Sequence, residues 1–79
     1  MPSEVSTIDD YIERRNAIQL RAENRSKEAA DRTWIELGVA NRHIQRVLDG
    51  VLKLPMVEVE IEKCLTRVER QEQHEQASA

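Results

Sequence analysis

Helix breakers are scarce in this chain and stand where they act as punctuation. Gly38 and Gly50 are its only glycines, and Pro2 and Pro55 its only prolines. Glycine tolerates the left-handed backbone that commonly ends a helix, and proline suits a first turn, where its missing N–H would have no partner anyway. The chain therefore reads as helices ended at Gly38 and Gly50 and restarted at Pro55. Gly38 is expected to adopt positive φ and form the turn, with the next helix starting near Ala40.

Periodicity and capping residues fill in the rest. Thr7 followed by Asp10 is a short-armed capping box, so a first helix should begin near Ile8. It carries Ile8, Tyr11, Ile12, Ile18 and Ala22 at helical spacing. Ser26 is a suitable N-cap for a second helix bearing Ala29, Ala30, Trp34 and Leu37, with Glu28 favoured by the helix dipole. Ile44, Val47 and Leu48 mark a third helix, and Val57, Ile61, Cys64, Leu65 and Val68 a fourth. Val57, Val59 and Ile61 also alternate with Glu58, Glu60 and Glu62, the period of a half-buried strand. Helix is preferred because the stripe continues at helical spacing and no other segment offers a strand to pair with. The fold class expected is all-α: one helical domain over residues 1–70, with a disordered tail at 71–79, which has no apolar periodicity.

The apolar content is thin for 79 residues: 39% of the chain is hydrophobic and 3% aromatic. So small a subunit struggles to cover the cost of ordering its backbone, which suggests a core shared between subunits. The stripe Val57, Ile61, Cys64, Leu65 and Val68 is the expected homodimer contact, on a dimerisation helix over 55–70. Trp34 is expected to be the main core anchor of the subunit.

Several chemistries find no support in the residues. One cysteine cannot form an intrachain disulfide, and no apolar run approaches the ~20 residues a membrane span requires, so a soluble, cytoplasmic protein is expected. His43 and His74 stand far apart and Cys64 belongs to another helix, so no metal site and no cofactor are expected. Glu58, Glu60 and Glu62 would spread around a helix instead of converging, and Cys64 on an apolar stripe would be inert; an enzyme is not expected. Net charge is −3, which argues for no polyanion partner at the level of the whole chain. Yet residues 39–48 carry Arg42, His43 and Arg46 and no acid.

Aligned on Gly38, residues 30–50 resemble the helix-turn-helix of the phage repressor and Cro family. An apolar residue, Val39, follows the turn glycine, and apolar anchors fall six and nine places after it at Ile44 and Val47, with Val47-Leu48-Asp49-Gly50 resembling the end of a recognition helix. One residue departs: four places before the glycine the family usually has a small side chain, where this chain has Trp34. The resemblance implies a helix-turn-helix over about 27–50, with Val39, Ile44 and Val47 inward and Asn41, Arg42, Gln45 and Arg46 reading bases. Such side chains make bidentate contacts with adenine and guanine. Arg32, Thr33, His43 and Lys53 would then contact phosphates. The implied function is a small transcriptional repressor or autoregulator of the phage or mobile-element kind, binding a palindromic site in double-stranded DNA as a homodimer. The alternative is a small helical inhibitor or adaptor of a larger host protein, without nucleic-acid contact, using the Val57, Val59, Ile61 surface or the charged first helix.

Overall fold

The structure, a computed structural model, describes residues 7–78, and within them lie four helices and no strand. They are α1 (Ile8–Arg25), α2 (Lys27–Glu36), α3 (Gly38–Leu48) and α4 (Leu54–Ser78). The local signals account for most of the boundaries. At the start of α1, the Asp10 carboxylate accepts a hydrogen bond from the backbone N–H of Thr7 at 3.1 Å. Ser26 serves two helices at once: its N–H donates to the Ala22 carbonyl to close α1, and its Oγ accepts from the Ala29 N–H to open α2. Pro55 sits in the first turn of α4.

Gly50 behaves as its sequence position suggests. It has φ of +81°, its N–H donates to the Val47 carbonyl, and the Val51 N–H donates to the Arg46 carbonyl. These two bonds form a Schellman motif, which satisfies carbonyls that the end of α3 leaves without partners. Gly38 does not make the corresponding turn. It is the first residue of α3, has no positive φ, and a Cβ added there would meet nothing within 4 Å. The bend belongs to Leu37, a single residue at φ −81° and ψ 0° whose side chain is fully buried. Its N–H donates to Thr33 and its carbonyl accepts from Asn41, so hydrogen bonding runs almost unbroken through the corner.

The core lies between α1, α3 and α4. Tyr11 and Ile18 meet Leu37, Ala40 and Ile44 and the α4 stripe Val57, Ile61, Cys64, Leu65 and Val68. That stripe, expected to be a dimer contact, is instead this chain's own core. The three helices close over it, and little of it is left for a second subunit. The alternation at 57–61 resolves as helix: Val57 and Ile61 point inward, Val59 outward. α2 lies back along α1 and buries only small side chains, Ala29 and Thr33. Trp34 is therefore not a core anchor; it is 53% exposed, because the bend at Leu37 turns the α2 core face away from it. Val39, expected to face inward, is 43% exposed for the same reason: with Gly38 already helical, Ala40 and Ile44 take the inner face.

The expected disordered tail is also corrected. Residues 71–78 are the last turns of α4, held by long-range ion pairs that apolar periodicity cannot reveal; Ala79 lies outside the described residues. Partners on α1 and α4 climb together: Tyr11 with Glu58, Arg14 with Glu62 and Glu69, Arg21 with Glu72, Arg25 with Glu72 and Glu75. The two helices thus run parallel, and α2 and α3 carry the chain back between them.

The two glycines should respond oppositely to alanine. Gly38→Ala, in open space at helical φ, should raise stability by about 0.5 kcal/mol, and Gly50→Ala, forced to positive φ, should lower it by about 1 kcal/mol, both measured by urea unfolding.

Candidate nucleic-acid interface

Of the four residues expected to read bases, two stand free. Arg42 and Arg46 are exposed on successive turns of α3, and neither has an ion-pair or hydrogen-bond partner among the described residues. Gln45 is exposed but its Nε2 donates to the Asp49 carboxylate at 2.9 Å. Asn41 is half-buried, and its Oδ1 accepts from Arg15 Nη1 at 3.4 Å. At about 100° per residue the four fall within an arc of roughly 140°, with Arg42 and Arg46 most directly opposite the core-facing Ala40 and Ile44.

The expected phosphate contacts divide. Lys53 is exposed in the connection between α3 and α4 and has no ion-pair partner among the described residues. Arg32 is committed elsewhere, with Nη2 at 3.2 Å from Glu75, and Thr33 is only 3% exposed, packed where α2 meets the core. Neither is placed to hold a phosphate. His43 is half-buried on α3, with Nδ1 enclosed and lacking a hydrogen-bond partner. Among the described residues no cluster of His, Cys, Asp or Glu could hold a metal ion, and no helix is long and apolar enough to cross a membrane.

The wider electrostatics sort the cations into two sets. Arg14, Arg21, Arg25 and Arg32 all reach carboxylates on α4, and Lys27 pairs with Asp31 one turn along α2. Among the described residues Arg15, Arg42, Arg46, Lys53, Lys63, Arg67 and Arg70 reach no carboxylate, and Arg15 meets the amide oxygens of Asn16 and Asn41 instead. Arg67 touches only the Cys64 sulfur, at 4.0 Å. Charge counted along the sequence misses this sorting, since the last third holds three cations against six acids. Five of those acids, Glu58, Glu62, Glu69, Glu72 and Glu75, are bound to Tyr11 or to arginines of α1 and α2. A spacing signal was present: Lys63, Arg67 and Arg70 recur at i, i+4 and i+7, the period of one helix face.

A second surface lies at the α2–α3 corner. Trp34, Ile35 (77% exposed) and Val39 are left outside the core there, and an open groove between α1 and α2 runs past Gln19, Glu23, Ala30 and Trp34. Comparison of the chain with known protein families, with curated proteins and with solved structures finds no match.

Glu72 anchors the paired set. It is 7% exposed and takes both Arg21 donors, at 2.8 and 2.9 Å, with Arg25 at 3.2 Å. The Arg21 hydrogen bonds hold its carboxyl below the usual glutamate range, and Arg14 does the same for Glu62. Both carboxyls bind a proton more readily in the unfolded chain. Their contribution is present above the ordinary value of 4.5 and is lost as the pH falls through their lower folded values. Acid titration followed by circular dichroism should show stability falling below about pH 4.5, and Glu72→Gln should flatten that fall while costing about 1–2 kcal/mol at neutral pH.

Proposed function

We propose that this protein binds double-stranded DNA as a small transcriptional regulator, with α3 as the helix that enters the major groove. The observation that carries the reading is the state of Arg42 and Arg46. The arginines of α1 and α2 that could reach α4 carboxylates have done so, whereas these two project from one ridge of a helix that contains no acid and have no partner among the described residues. Unpaired guanidinium groups one turn apart suit bidentate contact with guanine edges or phosphates. Gln45 can exchange Asp49 for an adenine edge, and Lys53 is placed to meet a flanking phosphate. Arg32 and Thr33 take no part. The joint between α2 and α3 is one residue, tighter than the turn of the repressor and Cro family, so the reading rests on the α3 ridge and not on that motif's crossing geometry.

Selection from a randomised duplex pool at low salt should enrich particular sequences with the unmodified chain. Arg42→Ala with Arg46→Ala should abolish the enrichment, at about 1–3 kcal/mol per lost bidentate contact, without moving the thermal midpoint. Absence of any duplex binding at low salt would sink the proposal.

A second reading, a helical inhibitor or adaptor of another protein, is favoured by the exposed corner Trp34, Ile35 and Val39. Apolar side chains grouped in this way mark contact surfaces more often than scattered ones do. The same corner, and not the buried 57–68 stripe, is where a second copy of the chain would dock. Sedimentation of the purified protein separates the two occupants. A dimer made monomeric by Ile35→Asp puts a copy of this chain on the corner; a monomer in both cases leaves it to a different protein, whose arrival should shift the emission of Trp34, the chain's one tryptophan, to shorter wavelength.

A further inference from the structure

The α4 helix is electrically two-sided. Glu58, Glu62, Glu69, Glu72 and Glu75 face α1 and α2, where Tyr11 and four arginines bind them. Lys63, Arg67 and Arg70 fall on the far side, roughly 160° around the helix, within an arc of about 60°. All three are exposed, and none reaches a carboxylate of the described residues. Glu60 is the one α4 carboxylate without a partner among the described residues, and it lies a turn before Lys63. A helix whose acids are turned toward α1 and α2 and paired there, and whose cations stand on the opposite side without a carboxylate, presents a positive ridge although its own sequence is net negative.

We infer that this ridge, Lys63, Arg67 and Arg70, is a second contact with the DNA backbone, gripping phosphates beside the groove that α3 enters. The inference rests on the proposed DNA-binding role of α3. α3 packs along α4, and both cationic ridges face away from α1: on α4 the ridge stands roughly 160° from the glutamates that α1 binds, and on α3 Arg42 and Arg46 stand about 100–140° from Asn41, which Arg15 of α1 holds. From Lys63 to Arg70 the ridge extends about 10 Å, enough for long side chains to reach about two to three phosphates of one strand. Arginine at two of three positions suits phosphate, which accepts its planar fork of donors. An anionic membrane is a poorer fit, because the ridge beyond Val59 offers no exposed apolar side chain to insert among lipid tails. The contact would fix orientation and add affinity without reading sequence, the division of labour expected between phosphate-directed and base-directed side chains.

Salt dependence tests it, because each neutralised phosphate contributes a slope of about −0.9 to log K against log salt. The probe is a labelled random-sequence duplex, titrated by fluorescence anisotropy at several salt concentrations. The Lys63→Gln, Arg67→Gln, Arg70→Gln variant should bind with a slope shallower by about 2 to 3, with its thermal midpoint unchanged, and should still enrich the sequences selected by the unmodified chain. Glu60→Gln should tighten binding. An unchanged slope in the triple variant overturns the α4 contact and leaves the α3 proposal standing. Failure of the unmodified chain to bind duplex overturns both. Binding to phosphatidylglycerol vesicles in preference to duplex, lost in the triple variant, overturns the choice of DNA as the occupant.

Discussion

The pairing of α1 arginines with α4 glutamates governs most of what is distinctive in this structure. Two parallel helices align their dipoles unfavourably, and side-chain charges of opposite sign along the seam offset that arrangement. The pairs are not equal. Exposed ion pairs contribute little each, but Glu72 is buried, takes two Arg21 donors and shares Arg25, so loss of the arginines would leave its charge poorly solvated. This network extends α4 through residues with no apolar stripe, and it neutralises with arginines of α1 and α2 the carboxylates that would otherwise offset the free cations. Fold and surface charge are thus two results of one interaction.

The core itself is modest and aliphatic. Tyr11 is its only aromatic, and its hydroxyl reaches Glu58 at 2.6 Å, which ties the apolar centre to the foot of the ion-pair network. α2 adds little apolar volume; its small buried side chains allow close approach to α1, and Gln19 Nε2 donates to the Ala30 carbonyl across that contact. Apolar packing places α3 and α4, polar and small-residue contacts place α2.

What could be read directly from the sequence was local. Thr7 with Asp10, Ser26, Gly50 and Pro55 each act within four residues of themselves, so their chemistry fixes a boundary wherever the rest of the chain goes. The four-helix, all-α character follows from these and from the apolar spacing. The errors were about partners distant in sequence. The α4 stripe was rightly seen as too apolar to stay wet, but periodicity does not say whether the covering face belongs to the same chain. Helical spacing places Trp34 inside, whereas a bend one residue from the expected position turns it out, and Val39 with it. Apolar pattern alone predicts a disordered tail, and its anchor is charge. On the candidate interface, Arg42 and Arg46 could be found by spacing and the absence of nearby acid. Arg32 and Thr33 could not be excluded until Glu75 and the packing of α2 were seen.

The joints between α1 and α2 and between α2 and α3 are single residues, Ser26 and Leu37, one capped from both sides and the other sealed in the core. Neither leaves slack for a helix to slide or swivel. The ridge of α3 is consequently oriented when the chain folds and loses little backbone freedom on meeting a ligand. A surface of this kind discriminates by shape and gives up adaptability: a ligand that does not match its curvature must itself deform, so selectivity would track the stiffness of the bound molecule as much as its chemistry.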